Sequence, residues 1–213
     1  MLVSEKTIGR LSLYRRLLNG LMEENRRNIY SRELALLAGG TAPQVRRDLM
    51  SIGYSGSTAS GYDVADLADS ISGFLGNPGG TSGVIVGAGN LGRAIISYFA
   101  SRRPMLKLLA AFDNDPSKIG AEVCGRPCWD IAELSEKVAE FGVRLGVITV
   151  PAEAAQETGD RLVFAGVTGI LNFAPSRLRV PDNVYVEHVD LTTSMEKVAY
   201  FVQSNTQRRT LEA

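Results

Sequence analysis

Histidine, tryptophan and cysteine are nearly missing from this chain: 213 residues hold one, one and two of them. Two cysteines do not make a disulfide framework. Cys124 and Cys128 flank Gly125, Arg126 and Pro127, which is not a CxxC spacing, and no further metal ligand stands near them. They read as structural or incidental thiols, with a redox pair as the alternative. The only histidine, His188, lies in the alternating stretch 184–189, where it reads as a strand position rather than a general acid. Tyr98 and Lys118 stand in no recognisable catalytic spacing. The sequence therefore offers no evident proton donor. Apolar runs fall short of the roughly 18 residues that a membrane span needs. Residues 1–16 carry Lys6, Arg10, Arg15 and Arg16 without a secretory apolar core, so no signal peptide is expected. A soluble cytoplasmic protein is the expectation.

Net charge is also absent, but the zero hides an asymmetry. Residues 1–60 hold nine Lys/Arg against five Asp/Glu, a net of +4, which leaves fourteen against eighteen, a net of −4, for residues 61–213. A basic first third suggests contact with a polyanion. The segment 73–83 holds six glycines and a proline and reads as a connector. Before it the pattern is helical. Leu11, Tyr14, Leu17, Leu18 and Leu21 form one apolar face. Ser31 reads as the N-cap of a second helix that ends at Gly39 and Gly40. Thr41 and Gln44 have the spacing of a capping box for a third helix. In that helix Val45, Leu49 and Ile52 face inward, while Pro43, Arg46, Arg47 and Met50 face outward. The small polar stretch 55–61 suits a hairpin tip. Three short helices, the last with paired arginines, followed by a hairpin read as a winged helix-turn-helix. A small helical bundle with a solvated arginine pair is the alternative.

After the connector, apolar runs at 82–86, 106–112, 145–150 and 169–173 alternate with helical stretches at 93–100, 131–141 and 152–165. That alternation predicts an α/β fold with a parallel sheet and helices on both faces. Between the first strand and its helix stand Gly87, Ala88, Gly89, Asn90, Leu91 and Gly92. In a Rossmann dinucleotide-binding unit the three glycines permit the tight turn, the approach of a pyrophosphate and the packing of helix on strand. The helix start adds free N–H groups for the phosphates. Asp113 follows 21 residues after Gly92 and can accept bonds from an adenosine ribose, favouring NAD over its phosphorylated relative. The alternative is a Rossmann-like fold without its ligand. Trp129 is expected against the sheet. Residues 191–207 read as a helix with Met195, Val198, Ala199 and Val202 on one side, folding back or docking on a partner chain. A small NAD(H)-dependent dehydrogenase with an accessory helical domain competes as a function. Only about 40 residues are left for its substrate domain.

Several motifs together resemble the Rex family of bacterial redox-sensing transcriptional repressors. They are Gln44-Val-Arg-Arg-Asp-Leu49, Gly61-Tyr62, Val86 with the glycine loop, Phe112-Asp-Asn-Asp-Pro116 with Lys118-Ile-Gly120, Thr149-Val-Pro-Ala-Glu153, and Gly169-Ile-Leu-Asn-Phe-Ala-Pro175. The resemblance covers nearly the whole chain. It implies a winged-helix domain over 1–77, a Rossmann NAD(H)-binding domain over 78–190, and a C-terminal helix and tail over 191–213 exchanged between subunits. It implies a homodimer, not an enzyme, that represses transcription by binding double-stranded palindromic operator DNA when NADH is scarce. NADH closes the dimer and releases the DNA, and NAD competes without release.

By position, Arg10, Gln44, Arg46 and Arg47 would meet DNA, and loss of Arg46 or Arg47 would nearly abolish binding. Gly87 to Gly92 and Asp113 would hold the adenosine half of the cofactor. Thr149, Val150, Pro151, Asn172, Phe173, Ala174 and Pro175 would stand near the nicotinamide. Arg16, Tyr98 and Asp190 would form the redox switch, which acts if a salt bridge exists in only one of two states. The plainer alternative is a surface arginine, a packed tyrosine and a helix-capping aspartate. One departure is the wing: residues 55–61 carry no charge, where the family places Lys or Arg. Fewer phosphate contacts imply weaker DNA binding or another operator preference. An activator, or a regulator sensing another nucleotide, stays open on that ground.

Overall fold

Apolar periodicity along residues 1–75 closes a small helical core in the computed structural model. The structure describes residues 3–57, 60–76, 80–102 and 106–211. Two units separate at Gly79/Gly80. In the first, helix α1 (Glu5–Glu23) starts at Ser4, whose hydroxyl accepts from the Thr7 amide. Strand β1 (Asn28–Ile29) leads to α2 (Ser31–Ala38) and α3 (Ala42–Ser51). Leu11, Tyr14 and Leu18 of α1 pack with Leu34, Val45 and Leu49. Gly39 ends α2 in the left-handed conformation, at φ +66°, which a residue without Cβ adopts without strain.

Two capping expectations are corrected. The N-cap of α2 is Tyr30, not Ser31, and the Glu33 carboxylate accepts from the Tyr30 amide at 2.9 Å. Thr41 precedes α3 but its side chain makes no capping bond, and Pro43 stands in the first turn. Proline brings no N–H to be capped.

The wing closes through paired Ser57 and Gly61, and strand β2 (Tyr62–Asp63) pairs antiparallel with β1. Residues 58 and 59 of the expected hairpin tip lie outside the described residues. Gly61 is required here: its φ is +73°, and a Cβ would stand 2.6 Å from the Ile29 carbonyl oxygen. The chain then enters α4 (Val64–Leu75), capped by Asp63, whose side chain accepts from the Asp66 amide at 2.9 Å. No helix was expected there. The connector consequently begins after Leu75, and its residues 77–79 lie outside the described residues.

The second unit alternates β3 (Thr81–Val86), α5 (Asn90–Arg102), β4 (Leu106–Asp113), the hairpin β5 (Glu122–Val123) and β6 (Arg126–Asp130), and α6 (Leu134–Phe141). There follow β7 (Leu145–Ile148), α7 (Ala152–Phe164), β8 (Gly169–Asn172), β9 (Tyr185–His188) and α8 (Leu191–Leu211). The sheet order is β5-β6-β4-β3-β7-β8-β9, parallel except for β5. Six of these strands reproduce the doubly wound dinucleotide-fold order, with its reversal point between β3 and β7. Helices α6 and α7 pack on one face, around Val84, Phe112 and Ile148, and α5 packs on the other, around Ile85, Ala111 and Val147.

No helix links β8 to β9. Beside Phe99 of α5, the sheet residues Leu108, Val147, Leu171 and Tyr185 line an apolar groove of about 280 Å³. Helix α8 leaves Met195, Val198, Tyr200, Phe201 and Val202 more than half exposed. Cys124 and Cys128 are both free; the first sits in the hairpin turn, exposed, and the second is buried.

Candidate nucleotide cradle and nucleic-acid interface

At the reversal point of the sheet, β3 runs into Gly87, whose φ of +101° turns the chain sharply. A Cβ there would stand 2.8 Å from the Thr149 carbonyl oxygen, and one on Gly92 would stand 2.0 Å from the Gly87 oxygen. Both positions exclude a side chain. Gly89 differs: nothing lies within 4 Å of where its Cβ would be, so its backbone faces open space. Helix α5 begins at Asn90, three residues earlier than expected, which puts the free amides of its first turn at this loop.

The loop borders a cavity of about 350 Å³. Gly87, Gly89, Asp113, Thr149, Val150 and Pro151 line it together, as expected, joined by Asn114, Asp115, Lys118, Ile131, Ala154 and Thr158. Asp113 ends β4 and is buried. Its Oδ2 accepts from the Ala88 amide at 2.7 Å and from Lys118 Nζ at 3.1 Å, and its Oδ1 accepts from the Asp115 amide at 3.0 Å. Burial alone would raise this carboxyl. The two amides and the Lys118 ammonium outweigh it and hold Asp113 below the usual carboxylate range. It is an ionised acceptor at neutral pH, fixed in place, at the ribose position of a dinucleotide fold. Lys118 was missed as a site residue; its spacing from Asp113 and Asp115, five and three residues, was the available signal.

The other expected nicotinamide-side groups act on the protein itself. The Thr149 hydroxyl stands 2.8 Å from the Gly87 oxygen and 3.1 Å from the Val86 oxygen and clamps the loop; its backbone is what meets the cavity. Asn172, Phe173, Ala174 and Pro175 are not among the cavity's lining residues. Asn172 is 0% exposed. Its Oδ1 accepts from the Ala174 amide at 3.0 Å, and its Nδ2 donates to the Ser176 oxygen at 2.8 Å and towards His188 Nδ1 at 3.1 Å. Asn172 thus shapes the turn after β8. The same bonds put the His188 proton on Nε2.

In the first unit, α2, the turn 39–41 and α3 form the helix-turn-helix. Arg46 and Arg47 are exposed on α3, and Gln44 is half-buried. Arg46 Nη1 donates to Ser31 Oγ at 3.0 Å. Arg47 makes no hydrogen bond or ion pair with the described residues.

Arg10, expected beside DNA, is committed inside the unit. Its Nε and Nη2 donate to the two oxygens of Asp48 at 2.7 and 2.6 Å, and the Tyr14 hydroxyl donates to Asp48 Oδ2 at 3.0 Å. Burial, then the bond to Asp48, pushes the Tyr14 hydroxyl up to about 12. This buried group ties α1 to α3. Asp48 was missed, although an acid three residues after Val45 falls on the inward face and so requires a cation.

Of the expected switch residues, Arg16 is exposed on α1, and Tyr98 lies on α5 edge-to-face with Phe99, with ring centroids 5.4 Å apart. Asp190 caps α8, accepting from the Thr193 amide at 2.8 Å and its hydroxyl at 2.6 Å, which holds its carboxyl low.

Comparison with known proteins follows this division. A family model described as "Putative DNA-binding protein N-terminus" matches residues 2–49, and one described as "CoA binding domain" matches residues 80–176. A redox-sensing transcriptional repressor Rex of Carboxydothermus hydrogenoformans is 41% identical over 201 residues, covering 94% of this chain and 97% of the relative. One of Streptomyces coelicolor is 43% identical over 203 residues, 94% of this chain and 78% of the relative. Among solved structures, RSP, a Rex-family repressor, superposes with a TM-score of 0.87 at 34% identity over 100% of both chains. RSP in complex with β-NAD+ and operator DNA gives a TM-score of 0.90 at 34% identity, over 100% of this chain and 98% of RSP. RSP with β-NADH gives 0.86 at 34% identity, over 99% of each.

Proposed function

The chain belongs to the Rex family of redox-sensing transcriptional repressors, and from that premise we propose that it binds palindromic operator DNA as a homodimer when NADH is scarce and leaves it when NADH binds. The cradle is the observation that carries this. Its glycine loop is open only at Gly89, and its carboxylate is fixed and ionised at Asp113. Those residues fit a diphosphate and a ribose with a free 2′-hydroxyl, hence NADH and NAD rather than their 2′-phosphorylated forms. The family is one of repressors, so no substrate chemistry is assigned to the chain.

The helix-turn-helix supplies the DNA side, with the exposed arginines of α3 as its groove-facing cations. The homodimer is supported by α8, whose apolar side chains stand exposed, and by the apolar groove on the sheet. The exchange of α8 between subunits belongs to the same proposal. So does the switch, for which Arg16 is available, having no bond or ion pair with the described residues. Among the described residues no helix is long and apolar enough to cross a membrane. We assign the protein to the cytoplasm, where its DNA is.

Anisotropy of a labelled palindromic operator tests the proposal. The protein should raise it, NADH should return it to that of free DNA, and NAD should leave it high. Operator binding that ignores both nucleotides would remove the sensor. Steady NADH oxidation with a small carbonyl compound would instead favour a dehydrogenase.

A further inference from the structure

Two adjacent arginines on one exposed helix are often treated as equivalent, but successive residues of a helix point about 100° apart. In α3 the buried side is marked by Val45, Asp48 and Leu49. Measured from the centre of the opposite side, Arg47 falls about 30° away and Arg46 about 70° away. Met50, 70% exposed, flanks the same central line as Arg47. Arg46 is therefore on the flank, and it is tethered there: Nη1 donates at 3.0 Å to the hydroxyl of Ser31, the first residue of α2. Arg47 has no such tether among the described residues. In helix-turn-helix docking, the second helix lies in the major groove while the first crosses the phosphate backbone. A guanidinium tied to the start of α2 stands at the groove wall, and one at the centre of the α3 face stands over the groove floor.

Resting on the repressor reading above, we propose that the pair is divided in role: Arg47 reads base edges, and Arg46, positioned by Ser31, grips a backbone phosphate. The division matters more here than it would with a charged wing. Residues 55–61 contribute no cation, so the phosphate contact on the Arg46 side is not duplicated there.

The two roles have different thermodynamic signatures. A phosphate contact adds affinity for any sequence and steepens the salt dependence; a base contact adds preference at one position. The full-length protein would first select its site from a pool of random duplexes. Anisotropy would then be measured on the selected duplex, on its single-base variants and on a scrambled duplex at several salt concentrations. Arg46→Ala should weaken selected and scrambled duplexes by the same factor and flatten the slope of log K against log salt by about 0.9. Arg47→Ala should cut the ratio of selected to scrambled affinity about ten- to a hundred-fold and relax one base position in each half-site. Ser31→Ala should resemble a milder Arg46→Ala, with sequence preference intact. Both arginines are exposed, so unchanged thermal melts would separate these effects from misfolding.

An Arg46→Ala protein that relaxes a base position, or an Arg47→Ala protein that loses selected and scrambled DNA equally, overturns the division alone. A wild-type protein that selects no sequence overturns the repressor reading as well.

Discussion

Asp48 shows how one residue can organise a binding surface without touching a ligand. It is buried in α3 and takes three hydrogen bonds from Arg10 and Tyr14 of α1. Asp48→Ala leaves a partly buried guanidinium and a buried hydroxyl unpaired, so urea unfolding should show a loss of about 2–3 kcal/mol. A loss under about 0.5 kcal/mol would mean the group is not structural. The same group predicts alkaline sensitivity. The folded-state pKa of Tyr14 is raised to about 12 from an ordinary 10.0, as is that of Tyr54. A raised folded value gives stability that is complete below the unfolded value and lost as pH climbs through the folded one. The stability of the first unit should therefore fall between about pH 10 and 12, and Tyr14→Phe should shrink that fall; an unchanged pH profile would contradict it. The role of Asp48 was hardly legible in the sequence, because its partner Arg10 lies 38 positions away. The glycine loop was legible, because its reasons are local: φ at Gly87 and close approach at Gly92. Gly92→Ala would put a methyl 2.0 Å from a carbonyl oxygen, and should cost about 2 kcal/mol or more together with nucleotide binding.

Among the elements, the parallel strands and their helices were readable because period-two and period-3.6 patterns are written residue by residue. Helix α4 has the same signal, with Asp63 as cap and Val64, Leu67, Ala68 and Ile71 buried. It went unread because the glycines that follow gave the stretch the look of a connector. The hairpin β5–β6 was hidden differently. Its turn places Cys124 at φ +51°, a conformation usually signalled by Asn or Gly. Caps illustrate the limit of spacing rules, since Thr41 and Gln44 have the spacing of a capping box and do not form one. Thr41→Ala should then change stability by less than about 0.5 kcal/mol, whereas Asp63→Ala, which removes a real cap on the Asp66 amide, should cost about 1 kcal/mol. Urea titrations of both variants check this pair, and the reverse ranking would contradict the cap assignment.

For the whole molecule, a sheet groove of about 280 Å³ and a 21-residue helix with exposed aromatic and aliphatic side chains require cover in water. Charging that helix by Met195→Glu with Val198→Glu leaves the core untouched, since both side chains are exposed. Sedimentation should then report a monomer where the wild type is a dimer; a doubly charged variant that stays dimeric would remove α8 from the interface. The central claim joins the two units: occupancy of the cradle in one controls DNA held by the other. It is tested most directly by following operator anisotropy while the NADH/NAD ratio is raised at constant total nucleotide, for wild type and for Asp113→Asn. The account predicts that wild-type protein leaves the operator as the ratio rises, and that Asp113→Asn, deprived of its ribose acceptor, stays bound to far higher ratios. A wild-type curve that is flat, or a variant released at the wild-type ratio, would contradict it.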